Sequence, residues 1–301
     1  MRIDPVSLRL FVAVMEEGTI AGAAVREHIA PAAVSRRISE LESSLGASLF
    51  ERSNKGTLAT PAAHVLLGLA RDVLHGLDDL GEQMAGFASG VRGHVRVSAN
   101  ISAITQFLPQ DLRSFMALAP AVQVHLQERI STQVARAVAD STADIGILNA
   151  GHYGEGESPV QLPYRQDELV LVVPRGHALA RRRAATFREA LAFDFVGLHP
   201  GSAINDVLHR RASETGLPLR LRMQVTSYDA LCLMVDAGLG IGVLPRGSAR
   251  LYLPALKIRA VTLQETWASR QLVLAVRSLE ALSPAARMLV DHLQSPGSCK
   301  R

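Results

Sequence analysis

The chain carries only two cysteines in 301 residues, Cys232 and Cys299. They lie far apart without CxxC or Cys/His spacing, which excludes a disulfide framework and leaves no encoded zinc site. No apolar run of signal-peptide length opens the sequence MRIDPVSLRL. Every later apolar stretch meets charge or glycine well before the ~18 residues that a membrane helix needs. These absences point to the reducing cytoplasm, without a membrane partner. Catalytic signatures are missing too: there is no Walker lysine, HExxH, GxSxG elbow or deaminase-type Cys/His set. Gly238-Leu239-Gly240-Ile241-Gly242 imitates a dinucleotide fingerprint. It precedes a strand and has GxGxG spacing, so it reads as a helix-to-strand turn. No cofactor, no metal and no enzymatic reaction are expected.

What is present is ample apolar material, 48% hydrophobic residues against 20% charged, with no low-complexity tract and no repeat of fixed period. A chain of this length exceeds one comfortable core, so two domains are expected. The net charge of +4 hints at nucleic acid, yet residues 1–92 hold nine Lys and Arg against eleven Asp and Glu, a net of −2. Any DNA contact at that end must come from a few cations clustered on one face.

Hydrophobic spacing predicts a helix over 4–16, with Val6, Leu10, Ala13 and Val14 on one face and Gly18 ending it. Thr19 N-caps a short helix over 20–27, whose Ala21, Ala23 and Ala24 allow another helix to approach. After a turn at 28–30, Pro31 opens a helix over 31–45 with the apolar stripe Val34, Ile38, Leu41 and Leu45, closed by Gly46. Leu49-Phe50 returns to the core, and residues 51–57 have the polar, glycine-bearing character of a two-stranded wing. Thr60-Pro61 starts one long helix over 61–88. Its stripe of Leu66, Leu67, Ala70, Val73, Leu74, Leu77, Leu80 and Met84 needs a partner. Beyond Gly90, β-rich runs at 94–99, 122–128, 143–148, 169–174, 195–199, 219–225, 241–245 and 271–276 alternate with amphipathic helical stretches. That alternation implies parallel sheets covered by helices.

On periodicity alone the first segment fits either a winged helix-turn-helix or a generic small helical bundle. In the first reading, helix 31–45 enters the major groove while helix 20–27 braces it across the backbone. A set of motifs decides between them: Phe11-Val12-Ala13-Val14, Gly18-Thr19, Ala23-Ala24, Ala33-Val34-Ser35-Arg36-Arg37-Ile38, Leu41-Glu42, Leu45-Gly46 and Leu49-Phe50-Glu51-Arg52. In order and spacing they resemble the LysR-type transcriptional regulators. The resemblance continues through Thr60-Pro61-Ala62, Leu108-Pro109, Ala143-Asp144-Ile145-Gly146 and the run from Ala237 to Pro245.

The resemblance implies an α+β multidomain chain. An all-α winged helix-turn-helix is expected at 1–60 and a long linker helix at 61–90. A two-lobed α/β, periplasmic-binding-protein-like effector domain would occupy 91–301, with lobe I at 91–162 and 267–295 and lobe II at 163–266. It further implies a regulator that binds double-stranded promoter DNA and is modulated by a small-molecule effector, an anion held between the lobes. The assembly would be a homodimer through the linker helix or a homotetramer through the effector domains. A solute-binding protein, or an enzyme on the same two-lobed fold, is the rival reading; missing export and reactive signatures weigh against both.

The DNA-facing candidates are Pro31, Ala32, Ala33, Ser35, Arg36 and Arg37 on the recognition helix, with Arg52 and Lys55 in the wing. Arg36 and Arg37 are either a solvated helix face or contacts to phosphate and guanine. Several positions depart from the family. Ala30-Pro31 stand where serine and glutamine are common, losing a hydroxyl cap and an amide that reads adenine. Leu58 and Ala59 replace an arginine and a leucine, and Glu27 replaces a usual core leucine. The effector candidates follow strand ends: Ser102, Ser131 and Asn149 in lobe I, and His199, Gly201, Ser202, Thr226 and Ser227 in lobe II. Hydroxyls and helix N-terminal amides there suit a small carboxylate. Ser102 and Ser131 also read as N-caps, and His199 as a loop histidine.

Overall fold

The computed structural model describes residues 3–53, 56–86, 91–151 and 159–295. The chain divides into two compact units, Met1–Gly93 with Ala139–Thr142, and His94–Val138 with Ala143–Arg301.

In the first unit, α1 (Pro5–Glu17) starts at Asp4, whose carboxylate accepts the Ser7 amide at 3.1 Å and the Ser7 hydroxyl at 2.7 Å. Those hydrogen bonds hold the Asp4 carboxyl below its ordinary range. Thr19 caps α2 (Ile20–Arg26) by accepting from the Gly22 amide at 3.0 Å. The next helix, α3 (Pro31–Leu45), has no side-chain cap at Ala30, as the missing hydroxyl implies. β1 (Phe50–Ser53) and β2 (Gly56–Ala59) pair antiparallel as the wing. Glu42 ties α3 to it by accepting the amides of Leu49 at 2.7 Å and Phe50 at 3.1 Å. Thr60 accepts the Ala63 amide at 3.2 Å and so caps the start of α4 (Pro61–Gly86). The expected residues 87–88 of that helix lie outside the described residues.

Phe11, Val14, Ala23, Ala24, Val34, Ile38, Leu41 and Leu49 form the core of this unit. Two expected positions differ: Val6 is exposed while Leu8 turns inward, and Ala21 is exposed while Ala23 and Ala24 make the close approach. The stripe on α4 divides. Ala63 and Ala70 are buried, and Leu66, Leu67 and Leu74 pack beside them on the unit's own core. Val73, Leu77 and Leu80 stay exposed, together with Val65 and Leu69. The Met84 side chain lies outside what is described.

The second unit runs β3 (Gly93–Ala99), α5 (Ile101–Gln106), α6 (Leu108–Leu118), β4 (Val122–Glu128), α7 (Ser131–Ala139) and β5 (Ile145–Asn149) into the long β6 (Val160–Pro174). Then come β7 (Ala184–Ala185), α8 (Phe187–Ala190), β8 (Phe195–Leu198), α9 (Ala203–Thr215), β9 (Leu221–Val225), α10 (Tyr228–Asp236) and β10 (Gly242–Pro245). The unit closes with α11 (Arg246–Tyr252), β11 (Ile258–Leu263), β12 (Ser269–Val276) and α12 (Pro284–Gln294).

One sheet threads the unit in the order β4-β3-β5-β12-β6-β11-β7, with β10 also on β6. β6 belongs to both lobes: residues 160–168 pair with β12, and residues 169–174 with β10 and β11. The crossing therefore lies inside a strand, between Glu168 and Leu169. β3 and β5 are parallel and β8 and β9 are parallel, but β12, β10 and β11 all run antiparallel to β6. The expected parallel sheets are thus mixed, because β6, which carries the chain from lobe I into lobe II, is a strand of both.

Lobe I is three-layered. Val97, Ile147 and Leu274 face α6 and α12 through Phe115 and Leu289, while Leu148 and Val273 face Val134 and Val138 of α7 on the other side. Lobe II is built on Leu169 to Val173 of β6, all fully buried, with Phe187, Phe195, Tyr228 and Leu231 around them. Gly242 lets α10 lie on β10: a Cβ there would stand 2.3 Å from Leu231 Cδ2. The glycine triplet is a helix-to-strand turn, as its position implies. Among the described residues no helix is long and apolar enough to cross a membrane.

Candidate functional site

On α3, Pro31, Ala32 and Ala33 are exposed and Ser35 is half-buried, so the first turn presents a small, uncharged surface. Arg36 is four-fifths exposed and donates to Glu40 at 2.8 Å. An exposed pair of this kind is screened by water and salt and holds the guanidinium only weakly, so a phosphate can displace it. Arg37 differs. Its Nη1 donates to Asp4 at 3.3 Å and to the Ser7 hydroxyl at 3.4 Å, which fastens α3 to the start of α1. Glu27 is half-buried beside Arg26 at 3.8 Å; Glu16 accepts from Arg26 at 2.6 Å and from Arg71 at 2.8 Å, joining α1, α2 and α4. Leu58 is exposed on the wing. Arg52 lies in β1 opposite Thr57, its side chain outside the described residues, and Lys55 lies outside them altogether.

The second unit contains a cavity of about 370 Å³ between its lobes. Asn100, Ser102, Ser131 and Asn149 line it from lobe I, and His199, Ser202, Thr226 and Tyr228 from lobe II, with Arg270 at the head of β12. Six of the eight residues expected from the sequence meet there. Gly201 and Ser227 do not line it. Ser227 caps α10 by accepting the Ala230 amide at 3.4 Å. Gly201 has φ +82, and a Cβ there would come within 3.1 Å of Ile130 Cδ1. Glycine at this position relieves both demands.

Ser102 and Ser131, which the sequence presents as equivalent, have different jobs. Asn100 is the cap of α5, accepting the Ala103 amide at 3.0 Å, so Ser102 is not an N-cap. The Ser102 hydroxyl shares a 3.0 Å hydrogen bond with the Tyr228 hydroxyl and accepts from Arg270 Nη2 at 3.2 Å. Arg270 also donates through Nε to Asp167 at 2.8 Å, and through Nη2 to the other oxygen of that carboxylate. Gln106 donates to Asp167 at 3.1 Å and to the Ser102 carbonyl at 3.0 Å. Burial pushes the Tyr228 hydroxyl up to about 12, so it stays protonated and neutral. Ser102 is therefore committed to a network that spans both lobes.

Ser131 opens α7 and accepts from Asn100 Nδ2 at 3.1 Å and from the Asn149 amide at 3.5 Å. With both acceptor positions taken, its hydroxyl proton is left to donate elsewhere. On the other lobe, Ser202 caps α9 through the Asn205 amide at 3.5 Å. His199 is half-buried, its Nδ1 3.0 Å from the Pro200 carbonyl; Thr226 is exposed at the rim.

Asn100, Tyr228 and Arg270, with Asp167 and Gln106 behind them, escaped the sequence reading. Local signals existed for two of them. Asn100 is the residue between a strand and a helix, where an Asn cap belongs, and Tyr228 directly follows Thr226-Ser227. Nothing local marks Arg270. Among the described residues, no group of three His, Cys, Asp or Glu is placed to hold a metal ion.

Residues 6–64 match the family model described as bacterial regulatory helix-turn-helix protein, lysR family, and residues 88–296 match the LysR substrate binding domain. The RuBisCO operon transcriptional regulator of Allochromatium vinosum is 26% identical over 95% of this chain and 94% of its own length. Among solved structures, a full-length OxyR variant from Pseudomonas aeruginosa superposes with a TM-score of 0.75 at 19% identity, covering 99% of this chain and 97% of that one. Full-length CbnR in complex with its target DNA gives 0.66 at 23%, covering 97% of this chain and 99% of that one.

Proposed function

The chain belongs to the LysR family of bacterial helix-turn-helix transcriptional regulators, and on that premise we propose how its parts divide the work. Residues 1–60 read promoter DNA, 61–90 pair two copies, and 91–301 hold the effector between two lobes; the lobe boundaries expected at 162/163 and 266/267 move to the strand pairing, with lobe I at 91–168 and 269–295 and lobe II at 169–268. The protein acts in the cytoplasm.

Pro31, Ala32, Ala33 and Ser35 approach base edges, while Arg36 exchanges Glu40 for a phosphate or a guanine. Arg37 supports them by holding α3 against Asp4, and the sequence makes Arg52 and Lys55 the wing's cationic candidates for the DNA backbone. The exposed row Val65, Leu69, Val73, Leu77 and Leu80 on α4 is the dimer seam, since leaving it in water would create a long apolar patch. Effector-domain contacts extend the dimer to a tetramer.

The observation that carries the effector reading is Ser131. It is buried in the cleft, its acceptor positions are filled, and it retains a proton for an anionic ligand. Because Ser102, Tyr228 and Arg270 join the lobes beside that point, a ligand there biases the lobe arrangement by its differential affinity for the two states. Binding of genomic fragments by the full-length protein, followed by footprinting, tests the whole. Paired protections one helical turn apart, or whole multiples of it (~34–36 Å per turn), support it. Uniform, sequence-independent binding contradicts it.

A further inference from the structure

Two buried atoms of opposite polarity belong to residues lining the same cavity. Arg270 Nη1 is a donor and Asn149 Oδ1 an acceptor, and neither has a hydrogen-bond partner among the described residues. Asn149 is 2% exposed, and the Arg270 side chain is nine-tenths buried. A buried polar atom left unpaired is unfavourable, so a ligand that pairs both gains more than one that pairs either. The charges lining the cavity are mixed in the same way. Asp167, behind the cavity wall, already balances Arg270, and Glu128 and Arg129 of the lining bring one charge of each sign. A simple anion would satisfy Arg270 Nη1 and the Ser131 proton but leave Asn149 Oδ1 unpaired. A neutral polyol would satisfy Asn149 and give the guanidinium only a weak acceptor.

Taking the cleft as the effector site, we propose that the effector is a small organic acid bearing a hydrogen-bond donor, hydroxyl or ammonium, next to its carboxylate. The carboxylate meets Arg270 Nη1 and the Ser131 hydroxyl, and the donor meets Asn149 Oδ1. A volume of about 370 Å³ restricts it to a small metabolite. Discrimination then comes from the donor, because a site built to hydrogen-bond a substituent rejects the analogue that lacks it.

The test is calorimetric titration of the full-length protein with three matched acid series: butyrate, 2-hydroxybutyrate and 2-aminobutyrate; succinate, malate and aspartate; 3-phenylpropionate, phenyllactate and phenylalanine. In at least one series the hydroxy or amino acid should bind at least about tenfold more tightly than the unsubstituted acid. Asn149→Leu should bring that ratio close to one, and Ser131→Ala should weaken every member; unchanged melting of both variants confirms that they fold. Asn149→Asp separates the two donors, tightening an ammonium acid and weakening a hydroxy acid. If an unsubstituted acid binds as tightly as its partners and weakens on Ser131→Ala, the proposed class is wrong and the cleft stands. Binding that ignores both Ser131→Ala and Asn149→Leu overturns the class and the cleft together. Absence of binding in all three series overturns the class.

Discussion

On the recognition helix Arg36 lies four-fifths exposed against Glu40, whereas in the cleft Arg270 is nine-tenths buried against Asp167. The two arginines are prepared for different partners. A surface pair exchanges cheaply, so in the role proposed for Arg36 DNA would take it without disturbing the fold, and its contribution should depend on salt. A desolvated pair resists exchange, so a ligand in the cleft must add to what is there rather than replace it. The same contrast separates Arg36 from its neighbour Arg37, which is half-buried and already spent on Asp4 and Ser7.

The contrast is broken most severely by Arg270→Ala, which strands the Asp167 carboxylate in the interior. Breaking such a pair should destabilise the second unit by about 3–5 kcal/mol in urea unfolding. No measurable loss would mean that the buried pair contributes no more than a surface one. The exposed apolar row of α4, proposed as the dimer seam, comes next. Leu69→Glu with Val73→Glu should raise the dimer dissociation constant at least a hundredfold, about 2.8 kcal/mol, read by sedimentation equilibrium. Unchanged association would remove α4 as the seam. By contrast, Leu74→Glu should chiefly lower melting, since Leu74 packs on its own unit.

Arg36→Ala should weaken specific DNA binding by about 1–3 kcal/mol if the side chain makes a bidentate base contact, and by less with a shallower salt slope if it meets phosphate. Stability should hold. For Arg37→Ala the expected order is reversed, with a measurable loss of melting temperature and a smaller, indirect loss of affinity. The smallest effect expected is at Asp4, where Asp4→Ala removes a helix cap for about 1 kcal/mol. The folded Asp4 carboxyl titrates below its ordinary range, so its contribution is present above that range and is lost as pH falls through it. Wild type and Asp4→Ala should therefore converge in stability in strong acid; a difference independent of pH would remove the carboxylate from the account.

Much of the first unit was legible because its signals are local. Pro31 and Gly46 bracket α3 to the residue, and Thr19 and Thr60 announce their helices. What escaped depends on residues far away in the chain. The sequence offers Ser102 and Ser131 as a matched pair, and only Tyr228, 126 residues further on, and Arg270, 168 residues further on, make Ser102 structural. The first half of β6 was missed because VQLPYRQDE is polar and contains Pro163, yet it pairs along β12. The division of the α4 stripe depends on which side meets α1, which helical periodicity does not specify.

The central claim is that the first turn of α3 reads DNA while the cleft governs the response, and footprinting of a bound genomic site with Ala33→Glu tests it most directly. Ala33 is exposed, so the glutamate should leave melting unchanged while placing a negative charge against the groove. The expected result is loss of the protected half-sites for Ala33→Glu and full protection for Ser131→Ala measured without effector. Protection retained by Ala33→Glu at wild-type affinity would contradict it.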